Sequence, residues 1–206
     1  MSHTKNIIES GLPLHQAKKA LIMIHGRGGS AEDILSLAQY LPVEDFYIAA
    51  PQATNNTWYP FSFLAPTPQN EPWLSSALNI LKELSEHIQQ NGIKPENIFV
   101  LGFSQGTCLT IEFAARNAQK YGGIIALTGG LIGDKLESTR YSGNFADTRI
   151  LMTNGNNDPH VPLQRSEQSK QQLEKMNAKV QLVVYPNRPH TILQEELQLA
   201  TAILKS

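Results

Sequence analysis

Cysteine is almost absent from this sequence, and so is any pattern that would hold a metal ion. Cys108 is the only cysteine, which excludes an intrachain disulfide, and the six histidines are scattered without a His-Glu-x-x-His pattern. We therefore expect no metal and no other cofactor. The lack of disulfides agrees with a reducing compartment.

A large excess of charge of one sign and a long apolar run are also lacking. The formal net charge is -1, so there is no basic field for nucleic acid. No stretch approaches the roughly 20 apolar residues of a membrane span, and residues 1–11 are too polar for a signal peptide. We expect a cytoplasmic protein with no nucleic acid partner and no integral membrane contact. A homodimer is compatible with the sequence.

What is present is a regular alternation of short apolar runs and longer segments of helical periodicity. The runs are apolar throughout, which is typical of parallel strands with helices on both faces of the sheet. The predicted strands are 20–24, 46–50, 98–101, 123–127, 150–153 and 180–185, and the predicted helices are 31–41, 73–90, 105–119, 162–176 and 191–204. Ile7 and Ile8 are predicted to form an antiparallel edge strand. The sequence predicts a single α/β domain, residues 1–206, with a mostly parallel central sheet.

A Gly-x-Ser-x-Gly motif, residues 102–106, lies between a predicted strand and a predicted helix. Its sharp turn strains the serine backbone and needs small neighbours, while the helix N-terminus directs N–H groups and positive dipole at a developing oxyanion. The pentapeptide alone also occurs by chance, but this context predicts a nucleophile at Ser104. Cys108, one turn further along the helix, is expected to face the sheet as a small apolar filler.

A glycine-rich turn, His-Gly-Arg-Gly-Gly-Ser at residues 25–30, follows the strand predicted at 20–24. The alternatives are an oxyanion hole, a phosphate loop and a plain turn. The turn lacks the Lys-Ser/Thr ending of a P-loop and the spacing of a dinucleotide site, which favours the oxyanion hole. We predict that the backbone N–H groups of Arg27 and Gln105 form it, and that His25 has a structural role.

Two further side chains follow later predicted strands, namely Asp158 and then His190. Serine, acid and histidine is the chain order of an α/β-hydrolase triad, so we predict that His190 is the base and that Asp158 orients it. The competing base is His160 and the competing acid is Asp134. Because His160 lies only two residues from Asp158, we assign it to substrate binding.

These motifs resemble those of the phospholipase/carboxylesterase family of α/β-hydrolases, which includes bacterial carboxylesterases and acyl-protein thioesterases. The resemblance covers nearly the whole chain. The matching segments are 25–28, 50–51, 102–106, 127–129, 155–162 and 185–186, followed by His190. It implies an α/β-hydrolase fold, a triad of Ser104, Asp158 and His190, oxyanion donors at Arg27 and Gln105, no metal and little or no lid.

The sequence departs from the family pattern at three places. Thr107 stands where a second glycine is usual after the elbow, and Gly29-Ser30 replaces a common Gly-Asp. The aspartate that often follows two aromatic residues in the thioesterases is missing after Trp58-Tyr59-Pro60. These differences leave the chemistry intact and bear on the substrate, above all on assignment as a protein acyl-thioesterase.

The expected reaction is hydrolysis of a small-molecule ester or thioester of short to medium chain length through an acyl-enzyme. Trp58, Tyr59 and Phe61, in the long connection 51–72, are predicted to line the acyl groove, the alternative being a minor core. With about 20 residues, this connection is too short for a mobile helical lid. The alternative functions are an amidase or peptidase on the same triad and a catalytically silent fold used for binding.

Overall fold

A seven-stranded sheet forms the centre of the computed structural model, which describes residues 2–205. Its strands are β1 (Ile7–Gly11), β2 (Lys19–Ile24), β3 (Phe46–Pro51), β4 (Ile98–Phe103), β5 (Gly123–Leu127), β6 (Arg149–Gly155) and β7 (Lys179–Tyr185). The α-helices are α1 (Ala31–Leu35), α2 (Trp73–Gln90), α3 (Gln105–Arg116), α4 (Leu163–Lys175) and α5 (Gln194–Leu204). The strand order is β1-β3-β2-β4-β5-β6-β7, with β1 antiparallel to β3 and the other pairs parallel. The antiparallel edge strand and the mostly parallel sheet are both confirmed.

Helices cover both faces of this sheet, which explains why its inner strands carry runs of consecutive apolar, buried residues. Leu21 and Ile22 are neighbours on β2, and they belong to different apolar clusters. The cluster around Ile22 includes residues of α2, α3 and α4, and the cluster around Leu21 includes residues of α1 and α5. The arrangement is the α/β-hydrolase fold. Within residues 2–205, no helix combines the length and the apolar character needed to cross a membrane.

Three predicted helices differ from the observed ones by more than one residue at an end. The helix predicted at 31–41 is α-helical only to Leu35 and continues as a 3-10 helix, where the Ser36 hydroxyl donates to the Asp33 carbonyl at 2.6 Å. The helix predicted at 105–119 ends at Arg116. The last helix begins at Gln194 rather than at residue 191, because the turn before it is held by side-chain hydrogen bonds described below.

The carboxyl ends of the parallel strands meet at one edge of the sheet, and the candidate residues collect there. The glycine-rich turn follows β2, Ser104 follows β4, and the loops with Asp158 and His190 follow β6 and β7. Residues far apart in sequence therefore face one another across this edge.

Candidate active site

Ser104 occupies the strained turn that the motif predicts. Its backbone has φ 55° and ψ -119°, between the end of β4 and the first residue of α3. A non-glycine residue with positive φ is strained, and here the surrounding hydrogen bonds enforce it. The Ser104 N–H donates to the Leu127 carbonyl at 3.0 Å, and the Cys108 N–H donates to the Ser104 carbonyl at 3.1 Å. The turn thus fixes the hydroxyl at the edge of the sheet.

The two glycines of the motif are required by close packing around this turn. A Cβ atom on Gly106 would lie 2.6 Å from the His25 carbonyl oxygen. On Gly102 it would lie 2.5 Å from the Gly106 carbonyl oxygen. The elbow and the glycine-rich turn after β2 are therefore in backbone contact, which brings the two halves of the predicted oxyanion hole together.

Ser104, His190 and Asp158 form a chain of hydrogen bonds. His190 Nε2 lies 2.8 Å from Ser104 Oγ, and His190 Nδ1 lies 2.8 Å from Asp158 Oδ2. The other carboxylate oxygen of Asp158 accepts the N–H groups of His160 at 2.9 Å and Val161 at 3.0 Å. This geometry can transfer the serine proton to the imidazole while the carboxylate orients the ring.

The Asp158 carboxyl group is held in its ionised form. Burial by itself raises its pKa, but the hydrogen bonds from His190 and from the N–H groups of His160 and Val161 outweigh burial and lower the pKa below its usual value. An ionised carboxylate favours the tautomer with a proton on Nδ1 of His190. That tautomer leaves Nε2 free to accept the proton of Ser104.

Neither of the two competing residues takes part in the chain of hydrogen bonds with Ser104. The His160 ring flanks the His190 ring edge-on, with 4.9 Å between centroids and 79° between planes. Both residues border a cavity that opens beside Ser104. Asp134 is exposed and borders a different cavity beside Arg165. The geometry favours Asp158 over Asp134 as the acid, and it places His160 at the cavity beside Ser104.

Both N–H groups of the predicted oxyanion hole are available. Gln105 is the first residue of α3, so its N–H has no acceptor in the preceding turn of the helix. Among residues 2–205, neither the Gln105 N–H nor the Arg27 N–H donates to a protein acceptor. The turn that carries Arg27 is fixed by a hydrogen bond from the Gly28 N–H to the Asn56 carbonyl at 2.7 Å. The positive end of α3 adds to the stabilisation that these groups offer an anion.

The side chains of Arg27 and Gln105 form hydrogen bonds to a neighbouring segment of the chain, which the sequence did not indicate. Both hold residues 57–61, which we call the wall segment. The Gln105 amide accepts the Trp58 N–H at 2.9 Å and donates to the Tyr59 carbonyl at 2.9 Å. The Arg27 guanidinium donates four hydrogen bonds, to Thr57 Oγ1 and the carbonyls of Tyr59, Pro60 and Phe61, at 2.8 to 3.1 Å. Each residue thus links the candidate oxyanion hole to the wall.

A cavity of about 390 Å³ opens beside Ser104. Tyr59, Phe61 and His160, three of the four residues predicted to bind substrate, border it. The buried Tyr59 and the 54% exposed Phe61 give one side an aromatic surface. Small-molecule sites are mostly apolar and have volumes of roughly 300–1,000 Å³, so this cavity suits a small ligand.

The structure corrects the prediction for Trp58. Its side chain is fully buried and does not border the cavity. The indole N–H donates to the His25 carbonyl at 2.9 Å, and its ring packs on the His25 ring at 5.0 Å. His25 in turn accepts the Ala53 N–H at 3.1 Å, and burial lowers its pKa, which fits the structural role predicted for it. The backbone of Trp58 therefore belongs to the wall segment, while its side chain packs in the hydrophobic core.

Cys108 lies at the inner end of the cavity and is almost fully buried. Burial raises the pKa of its thiol to about 12, so the group stays protonated at neutral pH. A protonated thiol is a poor nucleophile. Cys108 is the small filler that the sequence predicts, although it borders the cavity next to Tyr59 as well as the core.

A buried ion pair holds the loop that carries His190. This loop, residues 186–193, is called the histidine loop below. Arg188 Nη1 lies 2.6 Å from Glu196 Oε1 on α5 and 3.0 Å from the Thr191 carbonyl, and both charged side chains are buried. Further bonds join Arg188 to Thr128 and Glu196 to Thr153, at the ends of β5 and β6. Glu196 also accepts the Leu193 N–H at 2.7 Å, which sets the start of α5.

Proteins similar to this chain support the α/β-hydrolase fold and also indicate its family and function. Residues 4–206 match the family described as Phospholipase/Carboxylesterase. The crystal structure of a phospholipase/carboxylesterase from Dyadobacter fermentans is 52% identical in sequence and has a TM-score of 0.98. The similarity covers 100% of this chain and 99% of that chain.

More distant relatives include an acyl-protein thioesterase and a carboxylesterase. Acyl-protein thioesterase 1 of Saccharomyces cerevisiae is 28% identical over 219 residues, which is 94% of this chain and 95% of the relative. The carboxylesterase of Bacillus cereus is 22% identical with a TM-score of 0.76, covers 98% of this chain and 93% of its own, and supports the fold alone. The chain therefore belongs to the phospholipase/carboxylesterase family of α/β-hydrolases and is a carboxylic ester hydrolase.

Proposed function

We propose that this chain hydrolyses short- to medium-chain carboxylic esters or thioesters through an acyl-enzyme on Ser104. The observation that carries the proposal is the chain of hydrogen bonds in which His190 lies 2.8 Å from both Ser104 Oγ and Asp158 Oδ2. The lack of any possible intrachain disulfide suits a reaction in the cytoplasm.

The first half of the reaction acylates Ser104. As Oγ attacks the ester carbonyl, His190 Nε2 takes the hydroxyl proton, and the N–H groups of Arg27 and Gln105 stabilise the oxyanion of the tetrahedral intermediate. When the intermediate collapses, the bond to the alcohol or thiol breaks, and the leaving group receives the proton from His190. The acyl group is then bonded to Ser104.

The second half returns the enzyme to its starting state. His190 takes a proton from water as the water oxygen attacks the acyl carbon. Collapse of the second tetrahedral intermediate breaks the bond to Ser104, which recovers its proton from His190, and the carboxylic acid leaves. Asp158 remains a carboxylate throughout and compensates the charge of the imidazolium.

The wall segment supports the proposed chain length. It is held in place by Arg27 and Gln105, so it forms a fixed boundary rather than a closing lid. A cavity of about 390 Å³ lies at the small end of the range for ligand sites, roughly 300–1,000 Å³. A short or medium acyl chain fits such a site better than a long one.

The test is the rate of hydrolysis of p-nitrophenyl esters from acetate to palmitate, with the matching p-nitroanilides, by the parent and by Ser104→Ala. We expect the highest kcat/KM for short and medium esters, slower cleavage of anilides, and a loss of several orders of magnitude in the variant. Equal rates for parent and variant would overturn the proposal. A preference for palmitate that rises sharply when the ester aggregates would overturn the chain length, and faster cleavage of anilides would indicate an amidase.

A further inference from the structure

Arg27 places a positive charge at the mouth of the catalytic cavity. Of the described residues that border the cavity, Arg27 is the only one with a permanent charge, and no Asp or Glu borders it. Asp158 lies behind His190, where it accepts three hydrogen bonds. The acidic residues next to the glycine-rich turn, Glu32 and Asp33 on α1, do not border the cavity either.

The partners of the Arg27 guanidinium are all neutral. Its two Nη atoms donate to one hydroxyl and three carbonyl oxygens of the wall segment. Within residues 2–205 it forms no ion pair, and its Nε donates to no protein acceptor. Arg116 and Arg188 differ, since each has a glutamate oxygen within 2.7 Å. Arg27 is therefore oriented by its neighbours without being neutralised by them.

An oriented, unneutralised guanidinium is suited to attract an anion. Its Nε–H remains free to donate a hydrogen bond, and the side chain is exposed. Arginine binds carboxylate and phosphate groups strongly, because its charge is permanent and its N–H groups are fixed in a plane. The guanidinium borders the cavity, so its field reaches a bound substrate, although water and salt partly screen it because the side chain is exposed.

We propose that Arg27 directs the site to esters or thioesters that carry an anionic group, a carboxylate or a phosphate, in addition to the bond that is cleaved. This inference rests on the proposed hydrolase function. It gives the side chain of Arg27 a role in specificity, separate from the role of its backbone N–H in the oxyanion hole.

The test uses pairs of esters that differ only in charge. One pair carries the charge on the alcohol, 3-(butanoyloxy)benzoate against 3-(butanoyloxy)benzamide, with 3-(butanoyloxy)phenyl phosphate as the phosphate arm. The other pair carries it on the acyl chain, the monophenyl ester of adipic acid against its terminal amide. The measured quantity is the ratio of kcat/KM for the charged and neutral esters in the parent, Arg27→Lys, Arg27→Gln and Arg149→Gln.

We expect the parent to prefer the charged ester of at least one pair by roughly tenfold at low salt, as one partly screened charge pair allows. Arg27→Lys should keep most of this ratio, and Arg27→Gln should lose it, because only lysine preserves the charge. Both variants lose hydrogen bonds that hold the wall segment. A difference between them in the ratio of kcat/KM for charged and neutral esters therefore reports the charge at residue 27. Arg149→Gln makes the same change in net charge at the exposed first residue of β6, far from the site, and should keep the parent ratio. Rising salt should lower the ratio.

Equal ratios in the parent and Arg27→Gln would overturn the inference and leave Arg27 as a brace for the wall only. If Arg27→Gln is too slow to measure, the parent decides: a ratio near one that does not change with salt overturns the inference. Failure of the proposed hydrolase function has a different signature, since no ester of either kind would then be cleaved. Cleavage of the neutral esters without a preference for charge would contradict this inference alone.

Discussion

The wall segment and the histidine loop lie on either side of Ser104, and each is held by an arginine in a different way. Arg27 is exposed and bonds to neutral oxygens of the wall. Arg188 is buried and paired with the buried Glu196. Burial removes water from the Arg188 guanidinium, and the Glu196 carboxylate compensates its charge, whereas water still solvates the exposed Arg27.

The two segments should therefore respond differently to substitutions. The histidine loop must hold His190 within hydrogen-bond distance of two partners, so errors there act on the chemical step. The wall segment borders the cavity at Tyr59, Pro60 and Phe61, so we expect errors there to act on substrate choice. The following substitutions test that division, from the largest expected effect to the smallest.

The largest effect is expected at the acid. Asp158→Asn removes the carboxylate that favours the productive tautomer of His190, and kcat should fall by about 10⁴-fold, as in other serine triads. Asp134→Asn is the matched control at the exposed competitor and should keep parental kcat. Steady-state kinetics on p-nitrophenyl butyrate checks both variants, and the opposite ranking would move the acid to Asp134.

A smaller effect on rate and a large effect on stability are expected at Arg188. Arg188→Met leaves Glu196 buried without its partner, which should lower the free energy of unfolding by about 3–5 kcal/mol. Displacement of the histidine loop should also lower kcat by about 10- to 100-fold with little change in KM. The double variant Arg188→Met with Glu196→Gln should recover much of the stability but not kcat, because the neutral amide oxygen can still accept the Leu193 N–H.

Arg116 provides the control for Arg188. It pairs with another fully buried glutamate, Glu112, at 2.7 Å, but near the end of α3 that is remote from Ser104. Arg116→Met should therefore lower stability and leave kcat of the folded protein unchanged. Urea unfolding and active-site titration separate the two quantities. Parental kcat in folded Arg188→Met would show that the ion pair does not position His190.

The wall should respond in substrate choice. Phe61→Ala removes the exposed ring that borders the cavity, and the kcat/KM profile across acyl chain lengths should change a few-fold. A methylene fully buried in an apolar pocket contributes about 1–3 kcal/mol, and the effect should be smaller here because the Phe61 ring is 54% exposed. Trp58→Phe removes a hydrogen bond behind the wall, so it should lower stability by about 1–3 kcal/mol and leave the profile as in the parent. A changed profile in Trp58→Phe alone would place the substrate against Trp58.

The smallest effect concerns stability against pH. Because the folded-state pKa of Asp158 lies below its usual value, its ionised form stabilises the fold at a pH above about 4, and this contribution is lost as the pH falls through the folded-state pKa. The Tm of the parent should therefore exceed that of Asp158→Asn at pH 7, and the difference should shrink on acidification to pH 3. Thermal unfolding at a series of pH values measures it, and a difference that grows toward pH 3 would contradict this account.

The strands and the places of Ser104, Asp158 and His190 after them could be predicted because each has a recognisable local sequence pattern, whereas the order of the strands in the sheet could not. Buried parallel strands carry runs of consecutive apolar residues, and each candidate residue follows such a strand. The ion pair of Arg188 and Glu196 has no recognisable sequence pattern, because it joins a loop to a later helix and depends on tertiary packing. The prediction that Trp58 lines the groove is wrong because an aromatic loop residue looks the same in sequence whether it faces a cavity or the core.

Every step of the proposed reaction depends on Ser104 being the activated nucleophile, and covalent labelling tests this most directly. A fluorophosphonate reacts with a serine only when a base removes its proton and an oxyanion hole accepts the phosphoryl oxygen. We predict that mass spectrometry of the labelled protein finds one phosphonyl group, on Ser104, and none in Ser104→Ala. A folded protein that takes up no label, or a label on another residue such as Cys108, would contradict the account.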